Sequence, residues 1–134
     1  MMAGRALISL GIAAIASAGL AAAPVRTEQV RFAPGVSMRS LKSSVKGYGA
    51  VNYVVQAKAG QTLTVSMKTS NASSYFNVIA PGADAALFNA AMSGMAYSGK
   101  LPVSGAYKVQ VYLMRNAARR NETARYTLSV GLKG

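Results

Sequence analysis

The chain of 134 residues has no cysteine, no histidine and no tryptophan, and only three acidic residues, Glu28, Asp84 and Glu122. Each absence removes a class of chemistry. Without histidine or cysteine the chain cannot build a Ser-His-Asp or Cys-His nucleophile system, nor a soft-ligand zinc site, so no metal or cofactor is expected. Hydrolysis by paired carboxylates would require two of three widely separated acids to converge, with Asp84 and Glu122 both in loop-like sequence. No catalytic residue is assigned, and enzyme readings are disfavoured. The lack of cysteine also leaves packing alone to supply stability, even in a compartment where disulfides form.

Long apolar runs are scarce too. One occurs at the N-terminus, where the basic start Met1 to Arg5 is followed by the uncharged stretch Ala6 to Ala18 and then by small residues up to Ala23. That order is the pattern of a secretory signal peptide, and the run is too short to span a bilayer comfortably. Residues 1–23 are therefore expected to be removed, with cleavage between Ala18 and Ala23. Residues 24–134 are expected to form one exported domain with no transmembrane segment.

Fifteen Lys and Arg oppose the three acids. Setting aside Arg5 of the leader, fourteen cations remain and give the mature domain +11. Such a charge steers a protein toward anions, although surface solvation alone also accounts for it. Nucleic acid is not expected as the partner, because export separates the protein from it and no nucleic-acid-binding motif is visible.

Period-two alternation recurs along the mature chain. Candidate strands are Glu28 to Phe32, Val36 to Lys46, Ala50 to Ala57, Gln61 to Thr69, Ser74 to Ile79, Met95 to Gly99, Tyr107 to Met114 and Arg125 to Leu132. Turn signals separate them, among them Lys46-Gly47 and Pro81-Gly82. The expectation is an all-β, antiparallel β-sandwich of about eight strands with at most one short helix. The alanine-rich segment Asp84 to Met92 is the helix candidate, with Asp84 as its N-cap. Ala117 to Glu122 is short enough for a single helical turn.

The last third carries the most distinctive segment. Tyr107, Val109, Val111 and Leu113 alternate with polar residues, as do Tyr126, Leu128, Val130 and Leu132. Between these runs lies Arg115-Asn116-Ala117-Ala118-Arg119-Arg120-Asn121, which two regular strands would hold as a fixed basic tip. A guanidinium fork satisfies a carboxylate with two charge-assisted hydrogen bonds. The same cluster also reads as an ordinary solvated loop.

Lys46-Gly47-Tyr48, the turn Ala57 to Gln61, Leu101-Pro102-Val103-Ser104-Gly105-Ala106-Tyr107 and the arginine segment occur in that order. With these motifs the chain resembles the bacterial periplasmic inhibitors of goose-type (g-type) lysozyme, from about Gln29 to Leu132. The resemblance implies a β-sandwich in the periplasm, a g-type lysozyme as protein partner, and inhibition by loops inserted into an acidic substrate cleft. It carries contact roles to Tyr48, Arg115 and Arg119, with Asn116 and Arg120 beside them in the same loop. Ser104, Gly105 and Tyr107 read instead as loop-shaping: glycine supplies an unusual backbone angle and the tyrosine starts the next strand. The alternative is a non-catalytic envelope module that holds another anionic ligand, a glycan, lipid head group or acidic protein, through the Arg115 to Arg125 loop and the Lys42, Lys46 side.

Overall fold

The computed structural model describes residues 24–134, so the expected signal peptide lies outside the described residues. Nine strands and two short helices follow in the order β1 (Val25–Gln29), β2 (Met38–Lys46), β3 (Ala50–Ala57), β4 (Thr62–Thr69), β5 (Ser74–Ile79), β6 (Phe88–Asn89), α1 (Ala90–Ser93), β7 (Ala96–Lys100), β8 (Gly105–Leu113), α2 (Arg115–Arg119) and β9 (Thr123–Lys133). They form a five-stranded sheet, β1-β3-β8-β5-β6, and a four-stranded sheet, β2-β9-β4-β7. The all-β sandwich expected from the alternation is what the chain forms.

Burial follows that alternation closely. Leu63, Val65 and Met67 of β4 point inward, as do Tyr107, Val109, Val111 and Leu113 of β8 and Ala124, Tyr126, Leu128 and Val130 of β9. The core is rich in valine, whose branched side chain suits a pleated surface, and each fully buried valine or leucine contributes about 1.5–3 kcal/mol. Two tyrosines join the sheets through the core: the hydroxyls of Tyr53 on β3 and Tyr126 on β9 lie 2.8 Å apart. Burial is the main reason the Tyr53 phenol is held far above its ordinary pKa, with the Tyr126 hydroxyl adding to it.

Two short helices form where at most one was expected, the second being a turn at Arg115–Arg119, and two further expectations need correction. Asp84 to Met92 is not a helix capped by Asp84. Phe88 and Asn89 instead add a short strand to the sheet edge, opposite Val78 and Asn77, and Phe88 packs between Phe76 and Tyr97 with ring centroids 5.7 and 5.0 Å away. Burying an aromatic ring outweighs the modest helix propensity of the alanines. The helix starts only at Ala90, capped by the Asn89 side chain, which accepts from the Ala91 amide at 2.9 Å, and it ends four residues later at Gly94 (φ +98°). The first strand is also displaced, from Glu28 to Phe32 to Val25–Gln29. It pairs with β3 in parallel, whereas the other strand pairs are antiparallel, and all five of its residues are exposed. An edge strand with no buried face leaves no alternation to read.

Successive strands repeatedly change sheet, which concentrates crossovers at the two ends of the sandwich. Residues 47–49 (β2 to β3), 70–73 (β4 to β5) and 114–122 (β8 to β9) all cross at one end. The turns at residues 58–61 and 101–104 cross at the other.

Candidate functional site at one end of the sandwich

The arginine segment is not a hairpin loop, because its flanking strands β8 and β9 belong to different sheets. It spans the end of the sandwich as a lid, and its alternation of chemistry explains why. Ala117 and Ala118 are buried against the core, small enough to let the backbone sit close, while Arg115, Asn116, Arg119 and Arg120 face outward. As Arg115 and Arg119 are four residues apart in α2, they share one side of the turn. The helix closes through Asn121, whose φ of +57° is a left-handed conformation that asparagine tolerates better than most residues. The amides of Asn121 and Glu122 then satisfy the carbonyls of Ala118 and Ala117 at 2.9 and 3.1 Å.

The other two crossovers are bonded to this lid. The Gly47 amide donates to the Glu122 carbonyl at 2.9 Å, which docks the Gly47-Tyr48-Gly49 turn on the C-terminal side of α2. Tyr48 itself is 59 % exposed, in contrast to the buried tyrosines of the core. On the opposite flank the Met114 amide donates to the Ser73 carbonyl at 2.8 Å, and Asn71 Nδ2 donates to Glu122 Oε1 at 2.9 Å. Tyr48, Arg115 and Arg119 are thus carried by segments that one hydrogen-bonded frame holds together.

Glu122 is the centre of that frame. Besides Asn71, it accepts from Arg120 Nε at 2.7 Å. The Asn71 hydrogen bond first, and the Arg120 hydrogen bond and charge after it, hold its carboxyl below the ordinary carboxylate value. Arg120 therefore has an internal partner, whereas Arg115 and Arg119 make no ion pair or side-chain hydrogen bond among the described residues. Asn116 uses its Oδ1 locally, accepting from the Ala117 amide at 2.8 Å. Nothing in the sequence alone marks Asn71 or Ser73 as frame residues. The signal for Glu122 was its standing as the sole acid beside three arginines.

Ser104, Gly105 and Tyr107 lie at the opposite end, separated from the arginines by β8, whose nine residues span about 27 Å at ~3.4 Å each. There the Ser104 hydroxyl accepts from the Ala59 amide at 2.8 Å, and the buried Tyr107 hydroxyl donates to the Val103 carbonyl at 2.6 Å. A side chain on Gly105 (φ +142°) would meet the Pro81 ring within 3.0 Å. Among the described residues no group of three potential metal ligands converges.

Fold and surface together define a class: an all-β sandwich that presents an exposed tyrosine and two unpaired guanidinium groups at one end. The family follows from relatives of known kind. The chain is 33% identical over 107 residues to the inhibitor of g-type lysozyme of Escherichia coli, a match that covers 78% of this chain and 79% of that protein. The crystal structure of PliG from Aeromonas hydrophila, a periplasmic lysozyme inhibitor of g-type lysozyme, is 40% identical with a TM-score of 0.77, covering 84% of this chain and all of that one. Salmonella Typhimurium PliG, described in the same words, is 27% identical with a TM-score of 0.63 over 81% of this chain and 98% of its own. No established family model matches the chain. The chain belongs to the family of periplasmic inhibitors of g-type lysozyme, and a periplasmic location goes with that membership.

Proposed function

We propose that the chain inhibits a g-type lysozyme by presenting the α2 end of the sandwich to the enzyme's acidic substrate cleft. It acts by binding and carries out no catalysis of its own. Arg115 and Arg119 form charge-assisted hydrogen bonds with cleft carboxylates, and Tyr48 supplies an aromatic anchor beside them. Arg120 acts differently, holding Glu122 and so fixing the lid from which the other two project. Asn116 lines the rim of the same surface.

The observation that carries this reading is the pairing state of the arginines. Two guanidinium groups on one side of a five-residue helix have no partner among the described residues, while buried alanines and the Glu122 frame keep that helix in place. Because the helix is already fixed, only the arginine side chains themselves remain to be ordered on binding, which lowers the cost of presenting both forks to a carboxylate. The test is inhibition of a g-type lysozyme by the purified mature protein near physiological salt, with a chicken-type lysozyme as control. Selective inhibition at stoichiometric amounts supports the reading, and no inhibition of any g-type enzyme overturns it.

A further inference from the structure

The outer face of the four-stranded sheet carries a second cationic surface whose side chains take no part in the frame above, although the Arg125 backbone is bonded to Ser70 of the 70–73 crossover. Lys42 on β2, Thr127 on β9 and Lys68 on β4 are direct cross-strand neighbours. The two lysine backbones therefore stand about 10 Å apart, two strand spacings of ~4.8 Å. Arg125 lies on the same face of β9, two residues from Thr127 and opposite Ser44. Lys42, Lys68 and Arg125 line one open depression of about 430 Å³.

Nothing of opposite sign attends them. The depression has no acidic lining residue, and the two ion pairs among the described residues, Arg26 with Glu28 and Arg120 with Glu122, involve none of the three cations. Glu28 sits on β1 of the other sheet and Asp84 in the connection between β5 and β6. Ordinary soluble surfaces intersperse both signs, and this face does not. The next row along the sheet is Ser40, Ser129 and Ser66, again in register, so the surface beside the cations is low and hydroxylated. A plane can approach such a face without meeting a projecting ring.

We propose that this face binds the phosphate headgroups of an anionic lipid surface. Charge complementarity selects the phosphate, and the low serine row together with three cations spread over three strands selects a planar array over a compact solute. A periplasmic domain is bounded by bilayers, so the ligand is at hand. The three cations lie on the outer face of the sheet, whereas Arg115 and Arg119 lie on the lid across its end, so a molecule held on a membrane by this face can still engage a lysozyme.

The test is cosedimentation of the mature protein with phosphatidylcholine vesicles containing or lacking phosphatidylglycerol. Capture is expected only with phosphatidylglycerol, and it should fall steeply with added salt. A Lys42→Gln, Lys68→Gln, Arg125→Gln variant should bind roughly 100-fold more weakly, from about fivefold per basic residue at a charged surface, while retaining lysozyme inhibition. A single Lys68→Glu exchange at its exposed position should shift binding in the same direction and guards against misfolding of the triple variant. Failure of phosphatidylglycerol vesicles to capture the wild type would overturn the proposal, as would undiminished capture of either variant. So would capture that disappears with Arg115→Ala, Arg119→Ala instead. Release of the vesicles by inorganic phosphate at concentrations no higher than the lipid phosphate would overturn the lipid source in favour of a soluble phosphate.

Discussion

The Gly47 amide and the Glu122 carbonyl meet at 2.9 Å, and Gly47 also abuts Asn121, whose Oδ1 would lie 2.6 Å from any side chain placed there. Glycine at this position serves two needs at once. Its φ of +59° turns the chain between sheets, and its missing Cβ lets the Tyr48 turn lie against the end of α2. The exposed tyrosine and the two unpaired arginines therefore share one rigid support, built from residues more than seventy positions apart.

Gly47→Ala tests that support. The substitution forces a left-handed conformation on alanine, at about 1–2 kcal/mol, and pushes Asn121 aside. We expect a fall in the thermal midpoint of several degrees, as ~1 kcal/mol corresponds to roughly 4–8 °C in a domain of this size, together with weaker inhibition. Thermal unfolding and an inhibition assay on the same preparation check both. Full inhibition alongside reduced stability would mean that the position of Tyr48 is unimportant.

Arg115→Ala with Arg119→Ala should abolish inhibition while leaving the thermal midpoint nearly unchanged, because exposed, unpaired charges contribute little to stability. Replacing both by lysine should restore little, since an ammonium group lacks the planar fork. A marked loss of stability in the alanine pair would show that the arginines are structural.

The pH dependence of the lid rests on Glu122. The hydrogen bonds from Asn71 and Arg120 lower its folded pKa below the ordinary value of 4.5. A lowered pKa means that the folded state favours the anion. Its stabilising contribution is therefore complete above the ordinary value and is lost as pH falls through the lower, folded one. Glu122→Gln should accordingly be less stable than the wild type at neutral pH, with the gap closing on acidification below about 4.5. Parallel thermal melts from neutral to acid pH measure it, and a gap that does not change with pH would remove the carboxylate charge from the explanation.

Much of the sandwich was legible because most of its strands have one buried and one exposed face, as in Leu63-Val65-Met67 and Tyr107-Val109-Val111. Edges were not. Val25–Gln29 buries nothing and Phe88–Asn89 is only two residues long, so neither produces a period. Within the candidate site, the chemistry of Arg115, Arg119 and Tyr48 stood out, but their difference from Arg120 did not. Sequence cannot tell a free guanidinium from one paired with Glu122, because all three arginines precede that carboxylate closely and the path of the chain through Asn121 decides which of them meets it. Sheet membership was equally hidden, for the strands flanking the arginines alternate identically whether they pair with each other or cross between sheets.

The hydroxyl pair inside the core offers a last test, of what replaces disulfides in this cysteine-free chain. Tyr53 and Tyr126 lie 2.8 Å apart, each nearly devoid of solvent contact, and they tie the two sheets through their polar tips. Tyr53→Phe leaves the Tyr126 hydroxyl buried without that partner, and Tyr126→Phe does the reverse, so each should cost about 1–3 kcal/mol. The double replacement removes both groups and should cost less than the sum of the two, because no orphan is left behind. Denaturant melts of the four proteins give the coupling directly. Strict additivity would mean that the pair is a packing contact whose hydroxyls contribute independently, and the tie between the sheets would then rest on the apolar core alone.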